Sequence, residues 1–220
     1  MNVRFCKATL AVSLLSLSVG CAAPARYDYT AYRANRPASI VVLPPLNKSM
    51  EVAASYGVLS RATAPLAEAG YYVLPVALVD ETLKQNGLAM PDDMHNAPPT
   101  KLREVFGADA ALYMEVTKYG ATYAILASDV TVTANAKMID LRSGDVLWAG
   151  SASASTAEQQ SQSGGGLVGL LIVAVINQII NTVADDRSTQ MAAITNQRLL
   201  GAGQLNGPLY GPRSPKYQSD

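Results

Sequence analysis

The stretch Asp129–Gly150, DVTVTANAKMIDLRSGDVLWAG, carries the clearest structural signal in the chain. Its first half alternates apolar and polar residues, which is typical of a strand with one face in a core; the apolar series is Val130, Val132, Ala134, Ala136 and Met138. A bend is expected at Ser143-Gly144. One face of the next strand continues through Val146, Trp148, Ala152 and Ala154. The stretch therefore predicts an antiparallel β-hairpin.

The chain before the hairpin predicts a third antiparallel strand. At the start of the domain it predicts two strands that alternate with helices. ALYMEVTKYG (111–120) again has a period of two. SIVVLPPLNKS (39–49) contains the continuous apolar run Ile40–Leu43, consistent with a strand buried on both faces, and YYVLP (71–75) is a short second strand. Apolar residues at helical spacing predict one helix from Met50 to Ala69 and another after the second strand.

Together these segments define the predicted fold class. It is α/β with a mixed sheet: a β-α-β-α-(α)-β-β-β core with packed helices and C-terminal helices. Because a helix links the first two strands, they are expected to be parallel, with a right-handed crossover.

The N-terminus, MNVRFCKATLAVSLLSLSVGC, reads as a secretory signal peptide of residues 1–20. LSVGC resembles a bacterial lipobox, and this resemblance implies that Cys21 carries diacylglycerol and further acyl chains such as palmitate. Ala22 follows where an Asp would favour inner-membrane retention, so the pattern implies an outer-membrane anchor. Cys6 leaves with the signal, so the mature chain is expected to have no free thiol and no disulfide.

Amino-acid composition predicts the remaining boundaries between the parts of the chain. We expect a lipidated N-terminus and tether at 21–37, a periplasmic α/β domain at 38–200, and a disordered Gly- and Pro-rich tail at 201–220. Within the domain, residues 155–166 read as a flexible linker and 167–200 as a helical region. The full sequence has 17 basic and 17 acidic residues, and loss of Arg4 and Lys7 leaves a mature net charge of about −2. This balance does not suggest a nucleic-acid partner.

Three stretches resemble periplasmic α/β lipoprotein domains: SIVVLPPLNKS, FGADAALYMEVTKYG and MIDLRSGDVLWAG. Such domains occur in the curli secretion channel lipoprotein, in lipoprotein activators of penicillin-binding proteins and at the N-terminus of the Tol translocation protein. Over residues 20–200 the chain resembles a family of bacterial lipoproteins that includes a conserved meningococcal surface-antigen candidate. The resemblance implies a non-catalytic component of the cell envelope.

Few residues suggest catalytic or metal chemistry. His95 is the only histidine, and Asp92, Asp93 and His95 lie close enough in sequence to contribute metal ligands. A solvated loop is the expected role of this Pro-rich stretch, since no further ligands are arranged to help. No nucleophile elbow or phosphate-binding loop is present. We expect no catalytic residue, no metal and no cofactor.

The segment SGGGLVGLLIVAVINQIINTVADD (163–186) is the most apolar of the mature chain. Its uninterrupted apolar part, 167–176, would be about 15 Å long as a helix, half of a bilayer's hydrocarbon thickness of about 30 Å. Three alternatives remain: a buried helix, a surface for self-association or another envelope protein, and insertion as part of an oligomeric pore. The candidate interaction residues are Leu167, Leu170, Leu171, Val173, Val175, Ile176, Ile179 and Ile180.

The sequence thus favours a non-enzymatic outer-membrane lipoprotein. It would act as an accessory or adaptor in envelope assembly, secretion or transport, with another envelope protein or a second copy of itself as partner. The alternative is an oligomeric subunit of an outer-membrane secretion channel, and a more distant one is a periplasmic enzyme.

Overall fold

The computed structural model describes residues 26–124, 127–161 and 187–219. The strands in these ranges are β1 (Ser39–Val42), β2 (Leu46–Asn47), β3 (Tyr72–Val73), β4 (Ala110–Lys118), β5 (Ala121–Ala124), β6 (Ala127–Asp140) and β7 (Val146–Ser155). The helices are α1 (Thr30–Asn35), α2 (Ala54–Leu59), α3 (Thr63–Glu68), α4 (Val76–Gln85), α5 (Pro91–His95), α6 (Pro99–Phe106), α7 (Thr156–Ser161) and α8 (Arg187–Leu200).

The strands form one mixed sheet in the order β3-β1-β4-β6-β7. β1 is parallel to β3 and β4, whereas β4 and β7 are each antiparallel to β6. The two short strands extend this sheet: β2 pairs with β4 beyond β1, and β5 pairs with β6 beyond β4. The predicted α/β class, the mixed sheet and the parallel first pair are confirmed.

The sheet separates two hydrophobic cores. The larger one contains alternate residues of β4 and β6 together with residues of β7, and it is covered by α1, α2, α3 and α8. The smaller one lies on the other face under α4, α5 and α6. Ile40 and Val42 of β1 point into the first core and Val41 into the second, all fully buried, as the continuous apolar run predicted.

The region between β2 and β3 differs from the sequence prediction, because the single helix expected from Met50 to Ala69 is two short ones. Pro65 has no N–H to donate and would clash with the carbonyl oxygen of Arg61, so a continuous helix cannot pass through this point. In the first turn of α3 the same proline is tolerated. Val52, one of the apolar residues at helical spacing in this stretch, precedes α2 and is 90% exposed.

The C-terminal tail was expected to be disordered, but residues 201–219 pack on the domain in a series of turns. The indole Nε1 of Trp148 donates to the carbonyl oxygen of Asn206 at 2.8 Å, and the hydroxyl of Tyr71 donates to that of Leu209 at 2.5 Å. The N–H of Gly211 donates to the carbonyl oxygen of Ala69 at 2.8 Å. These partners are far from the tail in sequence, so composition alone could not indicate them.

Docking of the tail depends on Gly70, which ends the segment after α3. Its φ of +97° lies in the left-handed region, and a Cβ there would collide with the backbone nitrogen of Ser214. By contrast, Gly87 has a φ of +86° with no atom within 4 Å of a Cβ. Of these two glycines, therefore, Gly70 is the one at which a side chain would both strain the backbone and push the tail away.

The described part of the predicted tether, residues 26–37, is also packed on the domain. Tyr32 of α1 is buried, and its hydroxyl lies 2.6 Å from that of Tyr71. The N–H of Tyr27 donates to Asn206 Oδ1 at 2.9 Å, and the hydroxyl of Tyr29 donates to the carbonyl oxygen of Gly207 at 2.6 Å. Three tyrosines thus anchor a segment whose lack of apolar periodicity had suggested a free tether.

The predicted linker at 155–166 is replaced over its first half by the end of β7 and by α7. Asp129 of β6 explains the helix, because its carboxylate accepts hydrogen bonds from Thr156 Oγ1 at 2.7 Å and from the N–H of Ala157 at 2.9 Å. A carboxylate is favourable at a helix N-terminus. Within the predicted helical region, α8 occupies 187–200, and residues 162–186 lie outside the described residues.

The turn between β6 and β7 is organised by Asp140, whose side chain is fully buried. Its carboxylate accepts hydrogen bonds from the N–H groups of Arg142 and Ser143 at 2.8 and 3.0 Å, and Arg142 Nη2 pairs with it at 2.9 Å. Burial alone would raise the pKa of Asp140. These hydrogen bonds and the Arg142 charge outweigh burial and hold that pKa below its ordinary value.

Candidate functional site

A groove lies on the part of the sheet that α4, α5 and α6 leave uncovered. It has a volume of about 580 Å³ and runs beside β4 and β6, with the α5–α6 connection along one side. Four side chains of its floor come from cross-strand pairs, Tyr113 opposite Lys137 and Glu115 opposite Asn135. The groove is thus a strand-built surface rather than a gap between loops.

The period of two in the sequence explains this floor. Leu112, Met114 and Val116 of β4 enter the larger core, so the alternating residues of the same strand must face the other side. Near β1 that side is covered by helices, whereas at β6 it is open, and Asn135 and Lys137 are exposed. The polar alternation in β4 and β6 was the sequence signal for this site, although from the sequence it indicated only strands.

His95 closes one end of the groove. It is the last residue of α5, not part of a solvated loop as expected, and its Nε2 lies 2.9 Å from the carbonyl oxygen of Pro44. Its ring meets that of Tyr113 edge-on, with 5.3 Å between centroids. Burial lowers the pKa of His95, and the hydrogen bond to Pro44 only partly opposes this effect. The ring is therefore neutral at pH 7 and donates its Nε2 hydrogen to Pro44.

The metal-ligand alternative for this region finds no support in the geometry. Asp92 and Asp93 lie in the first turn of α5 and are exposed, while one nitrogen of His95 is occupied by Pro44. Across residues 26–124, 127–161 and 187–219, no three His, Cys, Asp or Glu side chains are grouped to hold a metal ion.

The groove offers a balanced set of polar groups. Lys137 Nζ lies 5.8 Å from the ring centroid of Tyr113, close enough for a cation–π contact. Burial raises the pKa of the Tyr113 hydroxyl, so this group stays protonated at neutral pH. With one acid, Glu115, and one base, Lys137, the floor has no net charge and can both donate and accept hydrogen bonds. Such a surface suits a polypeptide segment better than a highly charged ligand.

The site residues predicted from the sequence lie elsewhere. Cys21 and the interaction segment, Leu167, Leu170, Leu171, Val173, Val175, Ile176, Ile179 and Ile180, are outside the described residues. The structure does describe the flanking helices. α7 begins beside Asp129, and within α8 Thr195 Oγ1 donates to the carbonyl oxygen of Val132 of β6 at 3.0 Å. None of the helices in the described ranges is both long and apolar enough to cross a membrane.

Comparison with known proteins identifies relatives over most of the chain. The family described as "Putative lipoprotein GNA1162-like" matches residues 27–213. The "Putative lipoprotein NMB1124/NMB1162" of Neisseria meningitidis serogroup B is 49% identical over 187 residues, which are 85% of this chain and 86% of that protein.

A solved structure of high sequence identity agrees with this assignment. The crystal structure of lipoprotein GNA1162 from Neisseria meningitidis is 50% identical, covers 66% of this chain and 100% of its own, and superposes with a TM-score of 0.53. The PelC dodecamer from Paraburkholderia phytofirmans is 15% identical, covering 74% of this chain and 88% of that one, with a TM-score of 0.42. The GNA1162 matches confirm the resemblance over residues 20–200 to the family that includes a meningococcal surface-antigen candidate.

Proposed function

The chain belongs to the GNA1162-like lipoprotein family, and on this premise we propose that it is a non-enzymatic accessory or adaptor protein in cell-envelope assembly, secretion or transport. In this proposal Cys21 carries the lipid, the anchor is in the outer membrane, and the folded domain lies in the periplasm. The protein acts by binding another envelope protein.

The groove is the observation that carries this proposal. It is a preformed, net-neutral surface on an open sheet face, with side chains that both donate and accept hydrogen bonds. His95, at one end of the groove, contacts the carbonyl oxygen of Pro44 and the ring of Tyr113. These contacts do not direct its ring at a nucleophile. These features favour recognition of a polypeptide over chemistry on a bound substrate.

The apolar segment at 167–180 is proposed as a second contact. The segment follows α7 in the chain, and α7 begins beside Asp129, near the start of β6. Its uninterrupted apolar run is the observation that supports this second contact.

Photo-crosslinking in intact cells tests both surfaces. A photoreactive residue is placed at Asn135 and Lys137 in the groove, at Leu170 and Val173 in the segment, and at Gln85 as the control, which is exposed on α4 away from the groove. We expect crosslinks to one other envelope protein from the groove and segment positions and none from Gln85. Equal yields at all positions would contradict the proposal. Crosslinks only to further copies of this chain would support the channel-subunit alternative instead.

A charge reversal supplies an independent test of the groove. Lys137→Glu changes an exposed side chain, so the melting temperature should stay near that of the wild type. The crosslinks from Asn135 should weaken, whereas Lys101→Glu on α6 should leave them unchanged. For the segment, deletion of residues 164–183 should change the partners recovered. An unchanged partner set and assembly state would remove the segment from the proposal.

A further inference from the structure

The surface formed by residues 26–37 and 201–219, here called the terminal surface, is unusually basic. It carries five basic residues and a single acidic one, Asp28; the basic residues are Arg26, Arg33, Arg36, Arg213 and Lys216. The described residues between 38 and 200 carry ten basic and thirteen acidic residues. A chain with no formal net charge overall therefore carries an excess of positive charge on this surface.

The basic groups of the tail are exposed and lie over aromatic rings. The guanidinium of Arg213 lies 5.6 Å from the ring centroid of Tyr72, and Lys216 Nζ lies 5.6 Å from that of Tyr210. Within the part of the chain that the structure describes, neither side chain forms an ion pair. Tyrosine beside arginine and lysine is the combination found where proteins meet the polar layer of a bilayer.

A cavity of about 250 Å³ opens in this patch. The buried rings of Tyr32 and Tyr71 form its base, and the exposed Arg33 and Arg36 stand at its mouth with Tyr217. Arg33 and Arg36 are three positions apart, and the Nε of Arg36 donates to the carbonyl oxygen of Arg33 at 2.9 Å. The arginines thus present two positive charges at the entrance of an aromatic pocket of suitable size for a phosphate-bearing head group.

The short stretch of chain between Cys21 and Tyr27 determines which side of the domain lies next to the membrane. Tyr27, bonded to the tail through its N–H, is six positions after Cys21. Six residues reach at most about 20 Å when fully extended. A lipid on Cys21 therefore holds the terminal surface, rather than the groove side of the sheet, next to the bilayer.

We infer that the terminal surface binds anionic phospholipid head groups of the membrane that holds the Cys21 anchor, with Arg33 and Arg36 receiving the phosphate at the mouth of the cavity. This inference rests on the proposed lipidation of Cys21. It assigns the domain a fixed orientation, because the anchored face is engaged and the groove on the other face of the sheet stays accessible to a partner.

Vesicle binding by a chain without the lipid tests the surface itself. The probe protein is residues 21–220 with Cys21→Ser, mixed with vesicles of phosphatidylcholine alone or with an equal amount of phosphatidylglycerol. We expect binding only to the anionic vesicles, weakened by salt. Each basic residue near a membrane surface contributes about fivefold in affinity, so Arg33→Gln with Arg36→Asn should reduce binding roughly 25-fold. Asn is chosen because Arg36 has a φ of +44°, which Asn tolerates.

Controls separate this result from a general charge effect. Lys48→Gln with Lys101→Gln removes the same charge from exposed positions away from the patch and should leave binding unchanged. Arg33→Lys with Arg36→Lys should retain most of it. If the Arg33 and Arg36 pair does not fold, Arg213→Gln with Lys216→Gln repeats the test from the tail.

The outcomes that overturn the inference are specific. The inference is wrong if the protein does not bind anionic vesicles, or if the test and control pairs lose binding equally. It is also wrong if free inorganic phosphate competes fully, which would indicate a soluble phosphate ligand instead of a membrane. Mass spectrometry of the wild-type protein from cells reports lipidation of Cys21 separately. Failure of the anchor and failure of the surface are therefore distinguishable.

Discussion

Replacement of Trp148 by Phe should measure how strongly the tail holds the sheet. Trp148 is 1% exposed, and its indole N–H donates to Asn206 at 2.8 Å. Loss of this hydrogen bond should cost about 1 kcal/mol. The space left by the smaller ring should cost about 1 kcal/mol more. We therefore expect the free energy of unfolding to fall by about 2 kcal/mol and the melting temperature by roughly 4–8 °C.

Thermal and denaturant unfolding followed by circular dichroism provide the assay, and two further variants interpret it. Replacing Trp148 by 3-benzothienylalanine keeps the ring shape but removes the N–H, so it should cost only the hydrogen-bond part, about 1 kcal/mol. Val146→Ala, at a 46% exposed position of the same strand, should stay within about 0.5 kcal/mol of the wild type. If the benzothienyl variant has the same melting temperature as the wild type, the hydrogen bond to the tail contributes nothing to stability and the reasoning fails.

Three further predictions use the same unfolding assay or NMR. Gly70→Ala should destabilise the fold by more than the roughly 1 kcal/mol expected for Gly87→Ala, because both strain a positive φ but only the first displaces the tail; equal losses would contradict this. Because the pKa of Asp140 is lowered on folding, its ionised form stabilises the protein above about pH 4, and this stabilisation is lost as pH falls through the folded-state pKa. Asp140→Asn should therefore destabilise at neutral pH and much less at acidic pH; a pH-independent loss would refute the assignment. In a tag-free protein the ring signals of His95, the single histidine, should titrate below the ordinary value of about 6.5, and a titration above it would be inconsistent with a buried neutral ring.

Local patterns in the sequence predicted the sheet well, because strand periodicity is set by neighbouring residues. The fully buried run from Ile40 and the alternation in β6 were both correct. The exception in β7 is Val146, which is exposed because the register shifts between Met138 and Ile139, placing Leu147 and Trp148 inward in succession. A bulge of this kind leaves no local signature in the sequence.

The candidate site was harder to predict, since its parts are distant in sequence. His95, Glu115 and Lys137 come from three elements, and only the topology places them along one groove. The tail was missed for a related reason. Its Gly and Pro content suggested disorder, whereas its stability comes from hydrogen bonds offered by Tyr71 and Trp148.

The contacts of the residues just before α1 also bear on the order in which the protein can fold. Tyr27 and Tyr29 bond to residues 179 and 178 positions later in the chain. Contacts of such long sequence separation form late, because a large loop must close before they are made. When the chain crosses a membrane N-terminus first, the segment beside Cys21 therefore cannot be fixed until the final residues have emerged. In the proposed export, the part of the protein that crosses the membrane first is the part whose packing is completed last.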